Sequence, residues 1–283
     1  MDQAGTLRKL SRGLGASPAP GHSSQLRGLA VASGKGGVGK TNTVANLAYT
    51  LASAGKRVLV FDADMGLGNI HILLGLAPRF TLQHVIAGER GMEEILIKGP
   101  GGFDVLPAGS GNRPYNDLSG EEMLTLKTEL ELIETRYDFI LFDIGAGIST
   151  NVMYFCTAAR DVAILTTTEP TAFADAYAIM KVLSRDYGKR EFRLIVNSVK
   201  SRKEAMDVYQ RLTLVADRFG LNIRIDLLGH IFHDDVVRLA VREQRLFAER
   251  YPTSPATRCI ADIARTMAET MEPAEIGWGK IFA

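Results

Sequence analysis

Near-continuous apolar runs, each ending in a polar residue or leading into one, recur along the chain: Leu29 to Ser33, Arg57 to Phe61, Asp138 to Asp143, Val162 to Thr166 and Phe192 to Asn197. Runs of this kind predict strands buried on both faces, as in a parallel sheet. Phe103 to Leu106 and Leu227 to Ile231 predict two further strands. Between them the period changes to that of a helix. Val44 to Ala52 follows the first strand, Ser119-Gly120-Glu121-Glu122 opens a helix that carries Leu130 and Ile133, and Thr81 to Gly88 predicts a short capped helix ending at glycine. After Pro170 the bland reading is a strand, turn and helix with Thr171 as N-cap. Two helices, Asp234 to about Glu249 and Ala256 to Met271, close the pattern. Strands alternating with helices predict an α/β fold, a doubly wound and mainly parallel sheet with helices on both faces.

The two ends depart from this pattern. Residues 1–10 could form two helical turns with Ala4, Leu7 and Leu10 on one side, too short to be stable alone. Residues 11–27, with Gly, Ser, Ala, Pro18 and Pro20, predict a flexible linker. The α/β domain is then residues 28–271 and the tail 272–283. In that tail Trp278, Ile281 and Phe282 fall at i, i+3 and i+4 beside Lys280. Such spacing suits a membrane interface and packing on the core equally well.

Composition changes the picture little. The chain has 283 residues, 46% hydrophobic and 23% charged, a length that permits one large α/β domain or two small ones. A formal charge of +1 provides no global drive toward nucleic acid. No apolar stretch is long enough to span a bilayer, and Met1-Asp2-Gln3-Ala4 does not resemble a secretory leader. Cys156 and Cys259 are far apart, outside any zinc spacing, as expected in a reducing cytoplasm.

The chemistry gathers after the first strand, in Gly34-Lys35-Gly36-Gly37-Val38-Gly39-Lys40-Thr41 and Asn42. Strand, glycine turn and helix form a phosphate cradle: glycines let successive N–H groups face one set of oxygens, and the helix adds its positive end. Lys40 is expected on the β/γ-phosphates and Thr41 on Mg²⁺. Asp62 and Asp64 follow the second strand and Asp143 ends the Walker B-like strand, so all three should face the nucleotide crevice. His84 reads as structural, and His230 and His233 as structure or solvent rather than metal ligands.

Lys35 is a second lysine that an ordinary P-loop lacks. With it the loop resembles the deviant Walker A ATPases of the MinD/ParA group, whose motif is K-G-G-x-G-K-[ST]. The resemblance implies that Lys35 reaches the partner's ATP across a homodimer, while Lys40 acts in its own site. Asp62-Ala63-Asp64-Met65-Gly66-Leu67-Gly68-Asn69 matches that group's D-x-D-x-G-L-x-N switch I, which gives Asp64 the attacking water and Asp62 a place in the Mg²⁺ shell through water. Asn197 takes the adenine-binding position. MinD proper has Ser-Pro after the aspartate where this chain has Ile144-Gly145, implying a looser switch II, and relatives usually have a proline where it has Phe232.

The resemblance narrows at the N-terminus. Asp2-Gln3-Ala4-x-x-Leu7-Arg8 is similar to the D-Q-A-x-x-L-R element of the flagellar-number regulators FlhG, also called FleN or YlxH. Glu169-Pro170-Thr171 with Asp175-Ala176-Tyr177-Ala178 points the same way. In that family the element stimulates the GTPase FlhF, with Gln3 at the GTPase's catalytic site and Asp2, Leu7 and Arg8 docking it. The implied protein is a slow, dimerisation-dependent ATPase using ATP and Mg²⁺ that controls flagellar number and placement. Its implied partners are itself, FlhF, flagellar switch proteins, a flagellar transcription activator and membrane lipid, and its implied place is the cytoplasm and the inner face of the membrane at the cell poles. The rival readings are a ParA-type DNA-segregation or MinD-type division-site ATPase, and a scaffold gated by ATP binding alone. An iron protein of the nitrogenase-reductase kind is disfavoured, because neither cysteine lies just after Asp143.

Overall fold

The computed structural model describes residues 26–64, 68, 70–107 and 119–281, without the side chains of Lys280 and Ile281. Asp2, Gln3, Leu7, Arg8 and Phe282 therefore lie outside the described residues, as does the side chain of Ile281. The elements run β1 (Arg27–Ser33), α1 (Lys40–Ser53), β2 (Val58–Ala63), α2 (Ile70–Leu73), α3 (Leu82–Ile86), α4 (Met92–Ile95), β3 (Ile97–Lys98), β4 (Asp104–Pro107), α5 (Gly120–Glu134), β5 (Phe139–Ala146) and α6 (Thr150–Ala158). They continue as β6 (Asp161–Thr166), α7 (Pro170–Tyr187), β7 (Glu191–Val199), α8 (Arg202–Arg218), β8 (Arg224–Phe232), α9 (Asp235–Arg242), α10 (Phe247–Arg250), α11 (Pro255–Thr270) and α12 (Trp278–Ile281).

The strands form one eight-stranded sheet in the order β3-β4-β2-β5-β1-β6-β7-β8. All its pairings are parallel except that of β3 with β4. β1 lies between β5 and β6, where the winding reverses, so the carboxyl ends of the central strands open onto one crevice. The sheet is buried on both faces, which is why its strands read as unbroken apolar runs. One core layer holds Leu126, Leu130 and Ile133 of α5 with residues of α6, α7 and α8, and the other holds Val44, Leu47 and Leu51 of α1 with Ile260 and Ile263 of α11.

Several expectations change. Leu26 is buried and Arg27 begins β1, so the predicted linker over 11–27 runs two residues too far into the sheet. The predicted helix from Asp234 to Glu249 is two helices, because Gln244 has φ 53 and the chain turns inward to bury Leu246 and Phe247. The N-cap of α7 is Glu169, not Thr171. The short antiparallel strand β3 and helices α4, α6 and α8 carry no expectation from the sequence pattern above.

The tail is corrected most. Trp278 is not a membrane-facing residue: it is 1% exposed, with its ring centroid 6.3 Å from that of Phe61 and 5.8 Å from that of Phe142. Its indole N–H donates to a Glu134 carboxylate oxygen, and burial holds that carboxyl above its usual range against the opposing effect of the bond. Backbone bonds from Ala274 N to Leu26 O (2.9 Å) and Gly277 N to Ala158 O (3.0 Å) seat the segment over β1 and α6. An i, i+3, i+4 apolar stripe is the same whether lipid or protein covers it, and here protein covers Trp278. Among the described residues no helix is long and apolar enough to cross a membrane.

Candidate active site

β1 delivers Ser33 to the crevice and the chain turns through Gly34 to Gly39 into α1. Gly37 (φ 79) and Gly39 (φ 98) take left-handed conformations that L side chains resist, and Gly39 is the N-cap of α1. At Gly34 a Cβ would lie 2.3 Å from the carbonyl oxygen of Asp175, so α7 approaches the loop closely. Lys40 folds back over the loop and donates to Ser33 Oγ (2.9 Å), which itself donates to the carbonyl of Lys35 (2.7 Å). Burial lowers the Lys40 pKa, and Asp143 and Asp64 oppose that shift.

The three predicted aspartates meet this lysine. Asp62 and Asp143 are register partners across β2 and β5 and are 1% and 2% exposed. Burial, then the charge of Asp143, pushes Asp62 up to about 7; burial pushes Asp143 up to about 6, against the opposing effects of its hydrogen bond with Thr41 and of Lys40. Among the described residues Asp143 Oδ1 is buried without a hydrogen-bond partner. A buried acceptor beside a threonine hydroxyl and a second carboxylate fits a hydrated divalent cation. Asp64 donates its backbone N–H to Asp62 Oδ1 (3.4 Å). Its carboxylate packs over Gly145, where a Cβ would sit 3.0 Å from Asp64 Oδ1. Gly145 lies within β5, so the glycine leaves room for Asp64 in an ordered strand rather than loosening the segment.

Lys35 leaves its own cradle. Its ammonium pairs with Glu169 Oε2 at 2.7 Å and donates to Thr171 Oγ1 at 3.1 Å, at the start of α7. Beyond the glycine loop a cleft of about 540 Å³ is lined by Val38, Asn42, Asn197, Phe232, Val237 and Arg242 among others. Asn197 lies in it with its amide engaged: Nδ2 donates to Val38 O (2.7 Å) and Oδ1 accepts from Ser198 N (2.8 Å). Asn197 thus braces the glycine loop. Ser198 has φ 57, and its Oγ lies 3.0 Å from His233 Nδ1.

Sequence reasoning missed Ser33, Glu169, Ser198, Val237, Arg238 and Arg242 as site residues. Ser33 was legible as the last residue of the first apolar run, and Arg238 and Arg242 as an i, i+4 pair after Phe232. A second cavity, of about 500 Å³, lies at the opposite ends of the strands. There Lys98 is paired with Asp104 at 2.8 Å, Arg57 with Asp138 at 2.7 Å and Arg136 with Glu93, an arrangement that fits structure better than phosphate binding.

A family model described as an AAA domain matches residues 26–190. The chain is 40% identical to the antiactivator FleN of Pseudomonas aeruginosa over 87% of this chain and 88% of that protein. It is 35% identical to the flagellum site-determining protein YlxH of Helicobacter pylori, over 86% of this chain and 82% of that one. Among solved structures, the MinC:MinD cell division protein complex of Aquifex aeolicus matches with a TM-score of 0.69 at 26% identity, covering 88% of this chain and 98% of that one.

Proposed function

This chain belongs to the FleN/YlxH branch of the MinD/ParA-type P-loop ATPases, and we propose that it uses ATP to drive a dimerising switch that sets flagellar number and placement. At the level of the family it is an ATPase and a regulator of flagella. The dimer, the residue roles and the coupling to an FlhF-like GTPase belong to the proposal.

The position of Lys35 carries it. A lysine that served its own phosphates would lie in the cradle, as Lys40 does; Lys35 instead points to the rim and pairs with an exposed carboxylate, from which it can be exchanged. In the proposed switch two chains face each other across their loops and each Lys35 reaches the other's γ-phosphate. Lys40 and the loop N–H groups would hold the β/γ-phosphates within one chain, Ser33 fixes Lys40, and Thr41, Asp143 and Asp62 would hold Mg²⁺, the aspartates through water. Bound Mg²⁺ supplies charge neutralisation on the phosphates. Asp64, kept at the mouth by its fit against Gly145, accepts a hydrogen bond from the attacking water. Asn197 keeps the glycine loop in register with the base cleft. In this reading, the N-terminal residues Asp2, Gln3, Leu7 and Arg8 stimulate the GTPase, and flagellar switch proteins and a transcription activator are further partners.

Sedimentation velocity with Mg²⁺ and ATP or ADP tests the switch, and FlhF GTPase turnover with a peptide of residues 1–20, with and without Gln3→Ala, tests its output. The expected results are a dimer with ATP only and stimulation that Gln3→Ala abolishes. A monomer under both nucleotides refutes the switch; a silent unmodified peptide refutes the coupling.

A further inference from the structure

α9 ends against a residue type that its own backbone disfavours. Gln244 holds φ 53, the left-handed conformation that glycine adopts freely and other L-residues adopt at a cost. The backbone closes the helix in the usual way for such a cap: Gln244 N donates to Val241 O (3.1 Å) and Arg245 N to Ala240 O (3.0 Å). Glycine would serve that turn with less strain, so the glutamine side chain is the feature to account for.

That side chain crosses to another element. Gln244 Nε2 donates to the carbonyl of Ile72 at 2.9 Å, in the last turn of α2. Gly75, which follows that turn in a left-handed conformation (φ 63), runs alongside Gln244, where a Cβ would make an ordinary contact at 3.7 Å from Gln244 Cβ. The chain leading into the other end of α2 lies against Asp62: a Cβ at Gly68 would sit 2.7 Å from Asp62 Oδ2, and the backbone N–H of Ile70 acts to lower the pKa of that carboxyl. Asp62 in turn accepts from Asp64 N. α9 belongs to the base side of the site, where Val237, Arg238, Val241 and Arg242 line the cleft. One glutamine amide therefore joins the base-side helix to the element that begins beside Asp62 at the phosphate side.

We propose that Gln244 is a positioning residue for hydrolysis: by tying α9 to α2 it sets the Asp62–Asp64 segment when the base cleft is filled. This rests on the hydrolytic roles proposed above for Asp62 and Asp64. In this reading Gln244 acts on Asp62 and Asp64 through α2, so its loss should lower kcat and leave ATP affinity alone.

The test compares Gln244→Gly and Gln244→Asn with the wild-type chain, in thermal midpoint, affinity for a fluorescent ATP analogue, and turnover at saturating ATP and protein. Glycine removes the tether and relieves the backbone; asparagine tolerates the same backbone and is one methylene too short to reach Ile72. In both variants kcat falls about three- to ten-fold, the scale of one neutral hydrogen bond, with affinity within about two-fold of wild type. The thermal midpoint of the glycine variant holds or rises, because the relieved backbone offsets the lost bond, so a fall in kcat there is not a loss of fold. Unchanged kcat overturns the proposal, and so does a fall matched by equal loss of ATP affinity or by a lowered midpoint in the glycine variant. A fall in the glycine variant alone also overturns it, since that assigns the effect to backbone freedom. Asp64→Ala run alongside separates the two readings: full turnover there refutes the hydrolytic assignment, whereas the Gln244 comparison is decided by its own variants.

Discussion

Mixing two inactive variants asks whether Lys35 works across a dimer. Lys35→Ala removes an ion pair with Glu169 whose side chains are 39% and 63% exposed. An exposed pair of this kind contributes about 0.2–1 kcal/mol, so the folded chain should barely notice its loss. Turnover should fall far more, because a cation supplied to the transferring phosphoryl group is worth roughly 10³-fold or more. Lys40→Ala disables its own cradle for a different reason, since it removes the ammonium held at 2.9 Å from Ser33. In a heterodimer of the two, the subunit lacking Lys35 still has Lys40 and receives the partner's Lys35. Random 1:1 mixing makes half the dimers mixed, each with one complete site, so about a quarter of wild-type turnover returns under two-fold symmetry. Steady-state phosphate release, measured before and after mixing at protein concentrations where the dimer forms, reads this directly. A mixture no more active than its two components refutes the reasoning, because lysines acting only within their own chain leave no complete site.

Gly145→Ala places a Cβ about 3.0 Å from Asp64 Oδ1 and should displace that carboxylate, lowering turnover with little change in thermal midpoint, which ATPase assay and melting check together. Trp278→Ala empties a site among Phe61, Phe142 and Phe155 and should lower stability by roughly 3–5 kcal/mol in urea titration; a loss within experimental error would mean that the tail is not packed as described. Asp138→Asn weakens the bonds to Arg57, whose N and Nη2 donate at 2.8 and 2.7 Å. Because Arg57 holds the Asp138 carboxyl below its usual range, the stabilisation is present above the unfolded-state pKa and lost as pH falls through the lower folded value. The variant should be less stable than wild type at neutral pH, by under about 1 kcal/mol for so exposed a pair, and the gap should close in acid.

The parts of the site that the sequence announces are those whose spacing the ligand dictates. A phosphate cradle needs its glycines, lysine and threonine at fixed intervals between strand and helix, so Gly34 to Thr41 was legible residue by residue. Asp62, Asp64 and Asp143 were legible because strand ends in such a sheet open onto one crevice. What was not legible depends on contacts between distant segments. Trp278 and a lipid-facing tryptophan have the same local pattern, and only Phe61 and Phe142, far away in the chain, decide between them. The helix expected from Asp234 to Glu249 failed because apolar periodicity does not register a left-handed glutamine, whose compensation comes from Ile72 and from the burial of Leu246 and Phe247. Asn197 was expected on adenine from its position, yet its amide is engaged by Val38 and Ser198, which no spacing rule encodes.

The two lysines of the loop differ in how easily they can move, and that difference suits the roles given to them. Lys40 is confined by burial and by Ser33, whose hydroxyl is itself fixed to the Lys35 carbonyl; moving it would disturb the loop. Lys35 is held by two side chains at the rim, one of them an exposed carboxylate, so releasing it disturbs no backbone hydrogen bond. An exposed pair costs little to break, and a desolvated lysine beside a partner's phosphate gains far more than the pair provided. In the proposed switch the exchange would run downhill only when a second chain and a γ-phosphate are both present. A device that responds to ATP in a dimer, and stays quiescent in a lone chain, requires that asymmetry.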